Sequence, residues 1–217
     1  MPFRWPTRLR VVQSCLALIV WFALLLQLYL SVHHSLRKGD SALYGVWMYL
    51  AFFTILTNLI VASVLSVQAI AAESRAGRFC SRASTIAGVA CNIALVSIGY
   101  NLLLRDSGHP HGLHLVADVL LHDVVPLLFV IYAHSFARDG GSLRGRLQWA
   151  AWPIVYFAYV LVRGFATGFY PYPFLNVASL GYAGVLANSI GLLAGYLLLA
   201  VMLTGLERVR LRAPATA

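Results

Sequence analysis

Six long runs of apolar residues, separated by short stretches that carry most of the basic residues, dominate this chain. About 20 apolar residues are enough for one helix to cross a bilayer, and lipid-exposed irregular backbone is not tolerated in hydrocarbon. The pattern therefore predicts an all-α, six-helix membrane bundle in which residues 1–217 form a single integral membrane domain. The predicted spans are residues 11–32, 44–70, 83–104, 113–136, 147–165 and 180–206.

The basic residues predict the orientation of this bundle. Twelve of the 16 Lys and Arg residues lie in the N-terminal tail, in the loops after the second and fourth spans, and in the C-terminal tail. The other four lie on the opposite side of the predicted membrane. Because positive charge is retained on the cytoplasmic side, both termini are predicted to be cytoplasmic. The first apolar run is too long for a signal peptide and has no clean cleavage site, so it is predicted to be an uncleaved span.

Composition excludes several classes of protein. The chain is 60% hydrophobic and only 11% charged, whereas soluble domains are about half apolar and about a quarter charged. A soluble enzyme and a nucleic-acid-binding domain are therefore excluded, even though the net charge is +9. The three cysteines form no CxxC motif and suggest neither a disulfide framework nor a zinc site. No metal and no cofactor are predicted.

The fourth span contains the acidic residues that lie inside an apolar run, and such residues are costly there, about 2.5–3.5 kcal/mol each on insertion scales. His114, Asp118 and His122 follow one another at intervals of four residues, which places Asp118 and His122 on one helix face. A carboxylate one turn from an imidazole can orient it as a general base. Asp123 points away from that face, and Pro126 frees the carbonyl of His122 and predicts a kink.

The second span supplies a candidate nucleophile. Thr54 and Asn58 share a helix face, and Thr57 lies nearby. Counting about 1.5 Å per residue places Thr54 and His122 at a similar depth, slightly outside the midplane. If the second and fourth spans are neighbours, a threonine hydroxyl meets an imidazole held by a carboxylate. These are the parts of an activated nucleophile, with Thr54, His122 and Asp118 as the catalytic candidates.

Other polar residues near the outer side are candidates for substrate binding. The amide of Asn58 or Asn101 is a candidate donor to a developing oxyanion, and Asp123 is a further candidate. Tyr170 and Tyr172, in a segment with two alternating prolines, fit either an interfacial aromatic belt or a lid over an outward-opening cavity. Two basic residues toward the outer face are predicted to snorkel or to bind a carboxylate headgroup, namely Arg105 and Arg163.

Three patches resemble the androgen-inducible and androgen-dependent six-span membrane proteins and their bacterial relatives. They are WMYLAFFTILTNL in the second span, LLHDVVPLLFV in the fourth span and YPYPFLNVASLGY before the last span. With six spans and cytoplasmic termini, the resemblance covers nearly the whole chain. It implies a multi-pass protein of the bacterial inner membrane.

Eukaryotic members of that family are threonine-dependent hydrolases that cleave fatty acid esters of hydroxy fatty acids, with a Thr in the second helix and a His in the fourth. The resemblance places the His at His122. An ungapped match puts Ala51 where the Thr belongs, a three-residue shift gives Thr54, and Thr57 is the reserve. Asp118 stands where some eukaryotic members have Asn. The implied substrate is a membrane lipid or fatty-acid-type ester.

Three other functions stay open at this stage. A buried Asp and His pair is also what a proton-linked carrier uses. A haem protein would take His114 or His122 as an axial ligand, although the third membrane histidine, His134, lies on the same span. The chain is alternatively a non-enzymatic membrane protein. The acyl length, the oligomeric state and the physiological role are not predicted.

Overall fold

A computed structural model describes residues 7–136 and 142–212, and they form ten α-helices with no strand among them. The helices are α1 (Thr7–Arg37), α2 (Ala42–Tyr49), α3 (Phe53–Ile70), α4 (Arg75–Cys80), α5 (Ala83–Leu103), α6 (Leu113–Val119), α7 (Val125–Phe136), α8 (Leu143–Gln148), α9 (Ala151–Thr167) and α10 (Val177–Arg212). α10 is kinked near its start at Gly181, whose backbone is not helical (φ 66°, ψ 168°). Short 3₁₀ turns cover Arg105–Ser107 and Pro173–Leu175, and a π-helical turn covers Leu120–Val124.

Six segments of these helices are long and apolar enough to cross a membrane, as the hydrophobic pattern predicts. They are Arg8–Arg37, Phe53–Ile70, Ala83–Leu103, Leu113–Ser135, Leu143–Thr167 and Val177–Val209. The all-α six-helix fold is therefore confirmed. The chain is an integral, multi-pass membrane protein that lies in a lipid bilayer.

The second predicted span is interrupted, so that its main helix, α3, begins at Phe53 rather than near residue 44. Phe52 is extended (φ −92°, ψ 133°), which separates α2 from α3. The freed backbone groups find partners outside the helix. The Tyr156 hydroxyl donates to the Ala51 carbonyl (2.8 Å), and the Tyr159 hydroxyl donates to the Leu50 carbonyl (3.2 Å). These bonds make a broken helix acceptable in hydrocarbon.

The fourth span is continuous but irregular. The π-helical turn Leu120–Val124 joins α6 to α7, and the Val125 amide bonds back to the Leu120 carbonyl. Pro126 follows directly in the first turn of α7. π-turns occur preferentially at functional sites. Here the wide turn contains His122, at the place where the proline predicts a distortion.

The core of the bundle lies between α1, α3, α5 and α7. Its buried apolar residues include Leu24, Leu65, Ile93 and Phe129, one from each helix, all no more than 1% exposed. α10 packs against α5 through a smaller cluster that contains Tyr196. The two halves of the second span are thus held between α1 on one side and α5 and α9 on the other.

A buried ion pair fixes α8 to the end of α10. Arg146 and Glu207 are 1% and 7% exposed, and a guanidinium nitrogen lies 2.5 Å from the carboxylate. Arg146 also donates to the Thr204 hydroxyl (2.9 Å), and its carbonyl accepts from Tyr196 (2.7 Å). Charge and hydrogen bonds together hold the two helices, beside the apolar cluster to which Leu143 of α8 and Tyr196 of α10 belong.

Candidate active site

Thr54 and His122 meet, as the depth count predicts. The Thr54 hydroxyl lies 3.3 Å from Nε2 of His122. Thr54 occupies the first turn of α3, directly after the break, and His122 occupies the π-helical turn. Thr54 is 9% exposed, and the His122 side chain is 15% exposed. The contact therefore lies in the interior of the bundle, between two irregular segments of backbone.

Asp118 completes the expected alignment of the imidazole. Nδ1 of His122 lies 3.1 Å from an Asp118 carboxylate oxygen and 2.9 Å from the Asp118 backbone carbonyl. Both partners are acceptors, so they require the imidazole proton on Nδ1. Nε2 then presents its lone pair to the Thr54 hydroxyl. This is the tautomer that a general base needs.

Tyr100, on α5, is a member of this cluster that the sequence patterns did not single out. Its hydroxyl donates to the second Asp118 carboxylate oxygen (2.8 Å). Its ring stacks on the His122 imidazole, with centroids 3.7 Å apart and planes 15° apart. Tyr100 thus fixes the acid and the base together. A tyrosine in the outer part of an apolar span is also typical of an interfacial aromatic, so its spacing alone gives no signal for this role.

The expected oxyanion role of Asn58 or Asn101 does not fit the structure, because the amide hydrogens of both side chains are used in other hydrogen bonds. The Asn58 amide donates to the carbonyls of Thr54 (2.8 Å) and Leu121 (3.3 Å). Asn58 therefore ties the start of α3 to the π-helical turn. The Asn101 amide donates to the Ser97 carbonyl (2.9 Å) and to Asp123 (3.0 Å). The amide hydrogens of both side chains are therefore engaged within the protein, while the Asn58 amide oxygen is buried without a partner.

Asp123 belongs to a separate, more exposed cluster. It forms a bidentate ion pair with Arg105, with two distances of 2.7 Å, and Arg105 also donates to Asn101 (2.6 Å). Hydrogen bonding to Asp123 raises the pKa of Arg105 above its ordinary value. The Arg105 guanidinium lies over the Tyr100 ring, 5.3 Å from its centroid. The direction of Asp123, away from the His122 face, is as predicted.

Tyr172 approaches Thr54 from the segment that precedes α10, whereas Tyr170 does not. The Tyr172 hydroxyl accepts from the Phe53 amide (3.0 Å) and interacts with the backbone and side chain of Thr54. Burial raises the pKa of Tyr172, so that its hydroxyl stays protonated. Tyr170 instead packs on Gly164, where a Cβ atom would clash with its ring. Tyr170 therefore serves as an anchor for the segment.

A cavity of about 220 Å³ opens beside Thr54. Thr54, Tyr100 and Tyr172 contribute to one part of its wall, and most of the remaining lining is apolar. The apolar lining is Phe53, Leu95, Val96, Gly99, Leu104, Pro153, Ile154, Tyr156, Phe157, Phe174, Leu175, Leu186, Ile190, Leu192 and Leu193, with Ser189 as the remaining residue. The cavity is therefore an apolar chamber with the Thr54 side chain at its wall.

Thr57, the alternative nucleophile, is placed differently from Thr54. It is fully buried, and its hydroxyl accepts from the indole nitrogen of Trp152 (3.1 Å).

Within the described part of the chain, no group of three His, Cys, Asp or Glu side chains is arranged to hold a metal ion. No protein-family model, no curated protein and no solved structure matches the chain.

Proposed function

We propose that this protein is a membrane-embedded lipid ester hydrolase with Thr54 as the nucleophile and His122 as the general base. The observation that carries the proposal is the 3.3 Å contact between the Thr54 hydroxyl and Nε2 of His122, at the wall of an apolar cavity. A nucleophile, a base within hydrogen-bonding reach and a third group that orients the base form the general pattern of covalent catalysis. Asp118 is that third group.

The proposed reaction uses the His122 tautomer with its proton on Nδ1 and its lone pair on Nε2. As the Thr54 oxygen attacks the ester carbonyl, its proton moves to Nε2 of His122, and the Asp118 carboxylate stabilises the imidazolium. The tetrahedral intermediate breaks its bond to the alkoxy oxygen, which takes the proton from His122 and leaves as the alcohol. A water molecule then gives a proton to His122 and attacks the acyl-threonine. Release of the fatty acid returns that proton to the Thr54 oxygen.

Stabilisation of the developing oxyanion falls to the start of α3 rather than to the asparagines. This turn carries the proposed nucleophile itself, and although its first amides have no carbonyl partner within the helix, the Phe53 amide already donates to the Tyr172 hydroxyl. The helix dipole adds partial positive charge at the same point. The protonated Tyr172 hydroxyl, which interacts with Thr54, is a further donor in our proposal.

The lipid character of the substrate rests on the cavity and on the surrounding medium. A site within six apolar helices is supplied from the bilayer, and its largely apolar lining suits an acyl chain. The resemblance of the three sequence patches supports fatty acid esters of hydroxy fatty acids as the substrate, and the bacterial inner membrane as the location. The proposed chemistry uses no metal and no cofactor.

The proton-linked carrier is less well supported by the packing. Toward the cytoplasmic half, the next polar network is formed by Tyr132 with two glutamines, Gln13 and Gln68. Between His122 and Tyr132 lie Val125 and Phe129, which are 2% and 1% exposed. An apolar layer therefore follows the histidine along its own helix, where a proton relay would need polar groups.

The test is turnover of fatty acid esters by purified protein in detergent or nanodiscs. Thr54→Ala and His122→Ala should each abolish most hydrolysis, and Thr54→Ala should also abolish an acyl-enzyme detectable by mass spectrometry. Thr57→Ser is the matched control, because it keeps the hydroxyl that accepts from Trp152. Equal turnover in wild type, Thr54→Ala and His122→Ala would refute the proposal.

A further inference from the structure

The outer end of the cavity is covered by the segment between α9 and α10. Tyr172 and Phe174 stack with centroids 5.1 Å apart, and Leu175 is 3% exposed. The Asn188 side chain donates to the Phe174 carbonyl (2.9 Å), and the Phe53 amide donates to the Tyr172 hydroxyl. Contacts to α3 and to α10 thus hold the cover in place. An ester that came from the outer solution would have to displace it.

The wall formed by α5 is also closed. Leu95 and Val96 line the cavity and are 9% and 5% exposed, because the core of the bundle packs behind them. A molecule that contacts Leu95 and Val96 from this side must therefore be inside the cavity. They are therefore useful reporters of what occupies it.

The third side of the cavity is different. Three of its lining residues are strongly exposed, namely Ile154 (52%), Leu186 (53%) and Ile190 (59%). Ile154 belongs to α9, and the other two belong to α10. A side chain that lines a cavity and is also half exposed lies at its rim. The opening is therefore between two membrane-spanning helices, where the surrounding medium is hydrocarbon.

We propose that the gap between α9 and α10 is a lateral portal through which the acyl chain of a bilayer lipid enters the cavity. The proposal rests on the proposed function for the reaction that follows entry. All three rim side chains are aliphatic, as an acyl chain requires, and the polar groups Thr54 and Tyr172 lie on the cavity wall. The chain enters from the bilayer, and its ester group reaches Thr54.

The first test narrows the portal with larger side chains. Ile154→Trp and Ile190→Trp are made separately, and both positions face lipid, so a larger side chain is compatible with folding. Turnover of a long-chain ester in nanodiscs should fall roughly tenfold or more, as for added bulk in an apolar pocket. Turnover of a short, water-soluble ester in detergent should stay near that of wild type.

The matched control lies on the same helix. Val201 is 55% exposed and does not line the cavity. It lies 11 residues beyond Ile190, on nearly the same helix face and about 16 Å away. Val201→Trp should leave both activities unchanged. Unchanged long-chain turnover in both portal variants would overturn the inference.

The second test does not depend on hydrolysis. A fatty acid with a diazirine in its chain is photolysed in nanodiscs, and labelled peptides are mapped by mass spectrometry. Labelling at Leu95 and Val96 is expected in wild type, Thr54→Ala and Val201→Trp, and its loss is expected in Ile190→Trp. Labelling in this pattern without any ester hydrolysis would refute the proposed function and still support the portal. Absence of label at these residues in wild type, with hydrolysis intact, would overturn the portal.

Discussion

Substitution of Asp118 by asparagine separates the two contacts that orient the His122 imidazole. Nδ1 of His122 lies near two acceptors of the same residue, the carboxylate (3.1 Å) and the backbone carbonyl (2.9 Å). Asp118→Asn removes the negative charge but keeps the carbonyl. The proton should therefore stay on Nδ1, and Nε2 should still face Thr54. A triad without such a carbonyl would lose the correct tautomer as well.

The expected loss of activity in Asp118→Asn follows from the neutral hydrogen bonding that remains at Nδ1 of His122. Hydrogen bonds to a charged partner contribute about 1.5–3 kcal/mol, and neutral ones contribute about 0.5–1.5 kcal/mol. Removal of the charge should therefore cost about 1–1.5 kcal/mol of transition-state stabilisation. Each 1.36 kcal/mol is about tenfold in rate, so kcat/KM should fall about tenfold. His122→Ala removes the proposed general base and should lower kcat/KM about 10²–10⁴-fold.

The assay is kcat/KM for a soluble short-chain ester, which avoids effects on lipid entry. Asp123→Asn is the matched control, because Asp123 is adjacent in sequence and pairs with Arg105 instead of His122. Its activity should be close to that of wild type. If Asp118→Asn were as damaging as His122→Ala, the backbone carbonyl would not be holding the tautomer, and the reasoning would be refuted.

Three further substitutions test other parts of the structure. Tyr172→Phe removes the hydroxyl that accepts from the Phe53 amide and that is also a proposed oxyanion donor. The kcat for ester hydrolysis should therefore fall about 10²-fold. Photolabelling of the cavity by a fatty acid should not change. Glu207→Leu leaves the Arg146 charge buried without its carboxylate and should lower the free energy of unfolding by about 3–5 kcal/mol in detergent. Arg146→Met in addition should restore most of that stability, and no recovery would contradict the ion-pair argument. Gly99→Leu fills the cavity from α5, since nothing lies within 4 Å of the position of its Cβ atom. Hydrolysis of long-chain esters should fall more than hydrolysis of short-chain esters, and thermal stability should not fall. An equal loss of hydrolysis for both esters would contradict the assignment of the cavity to the acyl chain.

Features set by composition and regular helical spacing were predictable from the sequence. Apolar length gave six spans, and the four-residue interval between Asp118 and His122 placed them in contact. The meeting of Thr54 with His122 was predicted from their similar depth on the condition that the second and fourth spans are neighbours, and the two side chains do lie in contact. These predictions needed no knowledge of which side chains pack between the helices.

The features that were not predictable depend on partners far away in sequence. The break before α3 contains neither proline nor glycine, and its backbone groups bond to tyrosine hydroxyls more than 100 residues away. Arg163 was expected at the outer face, but it is 3% exposed, with its guanidinium 4.0 Å from the centroid of the Trp47 ring. A cation over an aromatic face is stabilised by the ring itself. Local sequence does not reveal such a partner.

The break before α3 also places the proposed reaction within the bilayer. Thr54 is the second residue of α3 and contacts His122, which lies well inside the fourth span. With the orientation that the charge pattern predicts, both side chains lie in the outer half of the bilayer. A substrate from the outer leaflet would therefore move sideways into the protein and would not cross to the opposite leaflet.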